Sequence, residues 1–405
     1  LTQEFYKQAK SKNYFANRVI SLRKDLISVI ALAFILSFSV AVLTPYIPLY
    51  GKDIGLSVVM IGYIVAVFQL SQLLGRIPMG SLSDIWGYNK VIGIGGISLF
   101  LAMVFYLISP AFWPVLFLAQ ILVGIAVCME WVTLPSYVTS FGEEKVPIFT
   151  FVTGWAYTFS IPLGGIVKDI FGMQLLFLVG FFLSLVALVM VYIVMKSNSR
   201  RRTLPESNLT PESITSMYKS AFKTLKSPKV LRASFYSLFM FLGFNIALSL
   251  FPLYLSGIGF SATIIGAIQF TRIGTESTIR LLSRRIEGVL EKKMIIALTT
   301  VFYGLALLLV SQLESLILII ALSILWGITG GLYAPVVFEM IAEGTSIENR
   351  GKGMGIRGTM GTLGSFTGII VFSNIAELFS IKIAIAMAGI TIILGAIAIE
   401  SYMRS

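Results

Sequence analysis

The sequence predicts an all-α membrane protein with twelve transmembrane helices in two parallel-repeat six-helix bundles. Three observations carry that reading. Of 405 residues, 57% are hydrophobic and only 12% are charged, with a mean hydropathy of +0.90. A soluble domain averages about 25% charged residues, and in water this chain would have to expose large apolar patches. Second, the chain contains stretches of about 20 mostly apolar residues, the length that crosses a bilayer, at twelve places. Third, the first six of these are related in sequence to the last six.

Taken in order, residues 1–25 (LTQEFYKQAKSKNYFANRVISLRKD) are polar and basic, without the short apolar region and small-residue cleavage site of a signal peptide, and are read as a cytoplasmic segment. A first bundle, 26–195, holds spans at 26–49, 57–79, 91–109, 112–137, 147–167 and 173–195. A polar linker follows at 196–229. It holds Arg200, Arg201 and Arg202 and an amphipathic stretch, SITSMYKSAFKTLK, expected to lie along the membrane surface. The second bundle, 230–405, holds spans at 230–255, 262–282, 294–312, 315–341, 354–376 and 382–402. Of these, 262–282 and 354–376 carry charge or many glycines.

Lysine and arginine set orientation by crowding the cytoplasmic loops. With both termini cytoplasmic in a multi-pass plasma (inner) membrane protein, only Lys52, Lys168 and Lys382 of the 31 basic residues fall outside, and Arg272 falls within a span. The remainder gather at the cytoplasmic ends. The net charge of +12 then reads as a topology signal and a match to anionic membrane lipid. No soluble basic domain is present, so nucleic acid is not an expected partner. The single cysteine, Cys128, rules out an internal disulfide, and the absence of histidine removes the usual zinc ligand and near-neutral general base. No cofactor and no metal are expected.

The repeat is legible without gaps. IPLYGKDIGLSVVMIGYI (47–64) aligns with FPLYLSGIGFSATIIGAI (251–268), and nine of the eighteen positions are identical. They are Pro48, Leu49, Tyr50, Ile54, Gly55, Ser57, Ile61, Gly62 and Ile64 with their counterparts 204 residues on. An even number of helices per half keeps both halves in the same orientation, an arrangement that places a site between the halves near the midplane.

After the second span, GSLSDIWGYNK (80–90) has the pattern G-x-L-x-D-x-x-G-x-x-K through Gly80, Leu82, Asp84, Gly87 and Lys90. This resembles the cytoplasmic signature loop of the major facilitator superfamily, at the place where that family carries it. Gly80 and Gly87 are expected to permit a tight turn, and Asp84 to face a helix N-terminus or a basic group across the seam between halves. The matching loop of the second half, LLSRRIEGVLEKK, is degenerate. GWAYTFSIPLGG (154–165) is similar to the family's antiporter motif, with Ser160 in place of a glycine and Pro162 displaced by one. Gln120 stands where many proton-coupled members have an arginine. The resemblance implies a secondary transporter working by alternating access, and a monomer is the expected state.

A charge inside a span costs about 2.5–3.5 kcal/mol on insertion scales. Arg272 lies mid-depth in the eighth span, with Glu276 one turn on and Gln269 on the same face. They read either as a substrate-binding arginine with a protonatable carboxylate or as a self-neutralising pair. In the resembled family an arginine at this depth is seen in carriers of organic anions. Glu130 sits about 8 Å from the midplane of the fourth span, with Trp131 and Trp155 near, and reads as a proton carrier or as a carboxylate bonded to a hydroxyl neighbour. Protons are therefore a candidate coupling partner. Asn245, Gln69 and Gln72 read as ligands or as helix–helix bonds. Arg357, about one turn into the eleventh span, is expected to reach the cytoplasmic surface or to pair with Asp84. Glu339 and Glu343 suggest gate-type ion pairs, and Gly358, Gly361, Gly364 and Gly368 suggest close helix approach.

The leading functional expectation is proton-coupled export of amphiphilic drugs or metabolites, the alternative being a small organic anion carrier using Arg272. A non-transporting sensor or lipid scramblase on the same scaffold is the reading of another class. No phosphate-binding loop G-x-x-x-x-G-K-[ST] occurs, so ATP is not expected to drive the chain directly. Without histidine, a paired intramembrane aspartate motif or a nucleophile elbow, an enzyme is not expected.

Overall fold

The computed structural model describes residues 24–139, 141–142, 145–197, 216, 219, 221–286, 290–346 and 349–404. Its helices are α1 Lys24–Asp53, α2 Val58–Trp86, α3 Tyr88–Ile108 and α4 Val115–Thr139. A 52-residue run, Val146–Ser197, reverses at Gly172 (φ 85°) and so makes two passes, α5 before the turn and α6 after it. The second half contributes α7 Pro228–Gly257, α8 Ala262–Ile286, α9 Lys292–Val310, α10 Leu316–Gly344, α11 Arg350–Leu378 and α12 Ile381–Arg404. Among the described residues, ten helical segments are long and apolar enough to cross a membrane, one being the double pass. Helix α8 has the length but carries Arg272, Glu276 and Arg280 within it. The N-terminal 23 residues, most of the linker with Arg200–Arg202, and the loop around 287–289 lie outside the described residues.

The two halves break their first helices at the same place. In α1 the helix opens at 42–45, and in α7 at Ser249 (φ −119°, ψ −72°), each just before a proline, Pro48 and Pro252. A proline ring clashes with the carbonyl four residues back and donates no hydrogen bond, so the chain yields there. Each of these helices ends at a left-handed glycine, Gly55 (φ 79°) and Gly259 (φ 97°). Beyond it a serine caps the next helix: Ser57 Oγ accepts from the Met60 amide at 3.2 Å and Ser261 Oγ from the Ile264 amide at 3.4 Å.

Small residues let helices close on one another, the packing expected where lipid removes the hydrophobic contrast between helices. Gly304 of α9 lies against the Gly389 carbonyl of α12, and Gly361, Gly364 and Gly368 of α11 lie against Phe241, Leu238 and Leu242 of α7. The halves meet along two further seams. Gly165 and Pro162 of α5 meet Ala262 and Gly266 of α8, and Gly62 and Arg76 of α2 meet Ser373 and Gly358 of α11. Large apolar side chains such as Leu74, Phe182, Leu325 and Leu394 stand bare on the outer surface, as a lipid-facing shell requires.

The signature loop differs in one respect from its reading as a two-glycine turn. Helix α2 runs unbroken through Gly80 to Trp86, and the reversal falls at Gly87 alone (φ 80°, ψ 153°). A glycine within a helix can simply continue its hydrogen bonding, whereas only Gly87 adopts a backbone conformation that L side chains avoid. The Asp84 side chain lies outside the described residues.

Candidate functional site

The chain's two ends are named here by the lysines they carry: the Lys52 face, with the turns at 54–57, 172 and 258–261, and the opposite Lys90 face. Between them the fold buries two groups of charge, one in each half.

In the first half, Glu130 is 1% exposed. It sits in a single wide π-helical turn of α4, Met129–Thr133. Pro135 follows, whose ring would otherwise strike the carbonyl of residue 131; a π turn in an α-helix is a frequent mark of a functional position. Ser37 of α1 donates to Glu130 Oε1, while Oε2 is buried without a partner. Tyr157 of α5 lies close enough to feel its charge. No cation pairs with it among the described residues. Trp155 stacks with Phe159 (5.1 Å between ring centroids) and leaves its ring N–H buried and unpartnered.

The second half buries Arg272 (2% exposed) and Glu276 (5%) on one face of α8. Arg272 Nε donates to Gln269 Oε1 at 2.9 Å, and Gln269 Nε2 donates to the Ala247 carbonyl of α7 at 2.5 Å, which fixes the arginine's orientation. Arg272 Nη1 stands 3.7 Å from Glu276 Oε2, while Arg280, one turn further, takes Glu276 Oε1. The sequence reading saw a pair; the structure shows a three-residue chain with one positive charge in excess. Arg272 also lies 5.1 Å from the Trp326 ring centroid of α10, and Tyr303 of α9 packs edge-on to that ring at 5.4 Å. Trp326 Nε1 is buried and aims at the Tyr303 oxygen, and the Tyr303 O–H is itself buried without an acceptor. A guanidinium and an unused hydroxyl donor thus gather inside the second half.

Asn245 spends its amide on the Ser365 carbonyl of α11 at 2.9 Å, a helix-to-helix bond. Of the two expectations for Arg357, pairing with Asp84 falls on a side chain outside the described residues; Arg357 itself stays short of full exposure. It is half-buried, donates through Nε to Ser237 at 3.2 Å and lies against the rings of Phe241 and Phe338 at 5.2 and 4.7 Å. Those aromatic faces and the hydroxyl belong to α7 and α10 of its own half. Glu339 and Glu343 do form ion pairs, with Lys292 at 2.6 and 2.5 Å and, for Glu343, with Lys229 at 2.7 Å. All four residues belong to the second half, so these pairs brace one bundle rather than gate the seam. Lys90 is exposed.

Three residues passed over in the sequence bear on the seams. Arg76 lies inside α2, not at a cytoplasmic end; its spacing from Gln69 and Gln72 on one helical stripe was the available signal. On the Lys52 face, Asp169 of α5 accepts from the Ala262 and Thr263 amides of α8 at 3.0 and 2.7 Å. Glu377 of α11 accepts from the Val58 and Val59 amides of α2 at 2.8 and 3.4 Å. Each half thus caps a helix of the other, and Lys52 Nζ meets Ser256 Oγ, its own repeat equivalent, at 3.0 Å. Lys168 pairs with Asp53 at 2.8 Å.

Paired six-helix bundles with buried charge and a closed face define a membrane carrier scaffold. Comparison with known proteins gives the family: the model of the Major Facilitator Superfamily matches residues 29–288 and 280–404. The chain belongs to that superfamily and is a multi-pass secondary transporter, not an enzyme. It is 22% identical over 396 residues to an uncharacterized MFS-type transporter of Methanocaldococcus jannaschii, covering 95% of this chain and 98% of that one. Among solved structures it resembles a bacterial homologue of the human drug peptide transporters PepT1 and PepT2 (TM-score 0.73, 13% identity, 95% and 99% of the two chains). It also resembles a POT family transporter in complex with a thioalcohol-conjugated peptide (TM-score 0.72, 11% identity, 94% and 96%). At these identities the likeness to the solved structures is one of fold.

Proposed function

We propose that this transporter couples proton movement to the passage of a small organic anion by alternating access, with Glu130 as the proton carrier. The observation that carries the coupling is the state of Glu130: buried in a π turn and bonded to Ser37, with one carboxylate oxygen unpartnered and, among the described residues, no cation beside it. A carboxylate so placed is costly when ionised and cheap when protonated, which is what a site that takes up and releases a proton requires. The basic-residue bias supports the Lys52 face as external and both termini as cytoplasmic.

The surroundings of Arg272 favour an anionic solute over an amphiphilic drug. The Arg272–Glu276–Arg280 chain has a positive excess, and the buried Tyr303 O–H beside it lacks an acceptor, which costs free energy until one arrives. A carboxylate supplies both the charge and the acceptor atoms. The solved relatives described as peptide carriers fit the same chemistry, since a peptide ends in a carboxylate.

The test is uptake into proteoliposomes of radiolabelled lactate, succinate and dialanine, with ethidium as the lipophilic cation. Glu130→Gln is expected to lose accumulation driven by a pH gradient while retaining downhill exchange. Undiminished accumulation by that variant overturns the coupling role. Ethidium transport with none of the three carboxylates overturns the solute class, and flux of phospholipid without any of the four establishes the scramblase reading instead.

A further inference from the structure

Where the linker runs into α7, the chain folds against the turn from α10 to α11 on the Lys90 face. Between them lies a recess of about 460 Å³, within the range of roughly 300–1,000 Å³ that holds small ligands. Lys223, Thr224 and Ser227 line it from the linker side, and Ser346, Asn349 and Lys352 from the turn. Every lining residue except Gly344 is polar or charged, in a chain that is 57% hydrophobic. Lys352 Nζ donates to Asn349 Oδ1 at 3.0 Å, and Asn349 Nδ2 donates to Ser346 Oγ at 3.0 Å, which fixes that side of the wall. Glu343, next to Gly344 in sequence, is engaged by Lys229 and Lys292.

Ammonium groups act as point charges toward phosphate oxygens, and hydroxyl groups add neutral donors around them. Two helices also begin at this wall. Ser227 and Asn349 stand immediately before α7 and α11, and neither side chain caps its own helix. The positive ends of both helix dipoles therefore add to the field of the two lysines. The linker side points to a membrane surface as the setting. Phe222 is exposed beside Lys223, and Lys219 and Lys226, about one helical turn to either side of Lys223, are exposed as well. An apolar ring among lysines is the composition of a segment lying at the level of anionic lipid headgroups.

We propose that this recess binds a phosphate group between Lys223 of the linker and Lys352 of α11, carried by an anionic phospholipid headgroup or by a free phosphate ester. The site involves neither Glu130 nor Arg272 and is independent of the solute transported. Bound, the phosphate draws both ammonium groups onto one anion and ties the end of the linker to the start of α11. The linker is thereby held to the second half at the membrane surface, and a ligand that binds only this folded arrangement stabilises it.

The test follows thermal unfolding of the purified full chain in dodecyl maltoside. Dioleoylphosphatidylglycerol in mixed micelles supplies lipid phosphate, with zwitterionic dioleoylphosphatidylcholine as its reference. Inorganic phosphate and glycerol 3-phosphate are the soluble probes, compared with sodium chloride at matched ionic strength. The expected result is stabilisation by phosphatidylglycerol beyond phosphatidylcholine, or by a soluble phosphate beyond chloride, and which of these occurs names the source. Lys223→Gln and Lys352→Gln are expected to weaken binding about 5-fold each and about 30-fold together. Lys382→Gln, the same charge change at an exposed position on the Lys52 face, is expected to leave it in place. No phosphate effect in the wild type overturns the proposal, as does an effect that survives the double lysine variant or is lost equally in Lys382→Gln. The Glu348 side chain lies outside the described residues; a phosphate effect that appears only in Glu348→Gln assigns the lysines to that carboxylate and also overturns the site. Should the double lysine variant fail to fold, Lys223→Glu alone decides, and phosphate affinity equal to wild type is then the overturning result.

Discussion

The closed Lys52 face rests on two carboxylates, and removing their charges yields a calculable shift. Asp169 and Glu377 each accept two backbone N–H groups at the first turn of a helix in the opposite half. Both side chains are exposed, so each charge at a helix N-terminus contributes at the surface scale of about 0.3–1 kcal/mol rather than the buried one. The double variant Asp169→Asn/Glu377→Gln keeps the shape and some hydrogen bonding but loses both charges, a change of roughly 0.6–2 kcal/mol against the closed state. That is a roughly 3- to 30-fold fall in the closed-to-open ratio, at 1.4 kcal/mol per tenfold. Spin labels at Phe112 and Phe379, exposed on this face in opposite halves, with Cys128→Ser to remove the native thiol, report the two populations by pulsed dipolar spectroscopy. The longer-distance population is expected to grow in the double variant and to change by an intermediate amount in each single one. An unchanged distance distribution in the double variant, with normal folding, refutes the clamp.

Two further outcomes follow from the packing. Arg272→Gln is expected to weaken carboxylate binding by about 30-fold or more; because Arg280 still holds Glu276, its thermal destabilisation should be smaller than that of a carboxylate left wholly unpaired. Adding Glu276→Gln should recover stability without recovering uptake, and uptake regained by that double variant would reduce the trio to a structural charge chain. Gly364→Ala places a methyl group against the Leu238 carbonyl, where α7 and α11 are in contact. The helices must separate, at a cost of about 1–3 kcal/mol, and a melting temperature equal to wild type would show that the approach is looser than described.

The path of the chain through the membrane was legible because it is written locally. A run of apolar residues has to be a helix in lipid, where every backbone group must find its partner within the segment. Proline and glycine mark the breaks: Pro48 and Pro252 open α1 and α7 alike, and Gly172 reverses α5 into α6. The aligned segments 47–64 and 251–268 announced the repeat, and the structure returns it as the meeting of Lys52 with Ser256. Gly80 misled because glycine is compatible with both a turn and a continuing helix, and only the neighbouring backbone selects between them.

The candidate sites were half legible. Arg272, Glu276, Gln269 and Glu130 stand out in sequence because each is a costly group in an apolar run, and helical spacing alone places the first three on one face. What the sequence could not supply is the partner on another helix, since contacts between α4 and α1, or α8 and α10, join residues far apart in the chain. Tertiary structure decided that Glu130 has Ser37 and, among the described residues, no cation, and that Trp326 and Tyr303 gather beside Arg272. It also decided that Arg357 bonds Ser237 of α7, and that Arg76 crosses the seam to lie against Gly358. The physical reason is range: helix formation in lipid depends on each segment's own residues, whereas the balance of a buried charge depends on whichever side chain packing delivers to it.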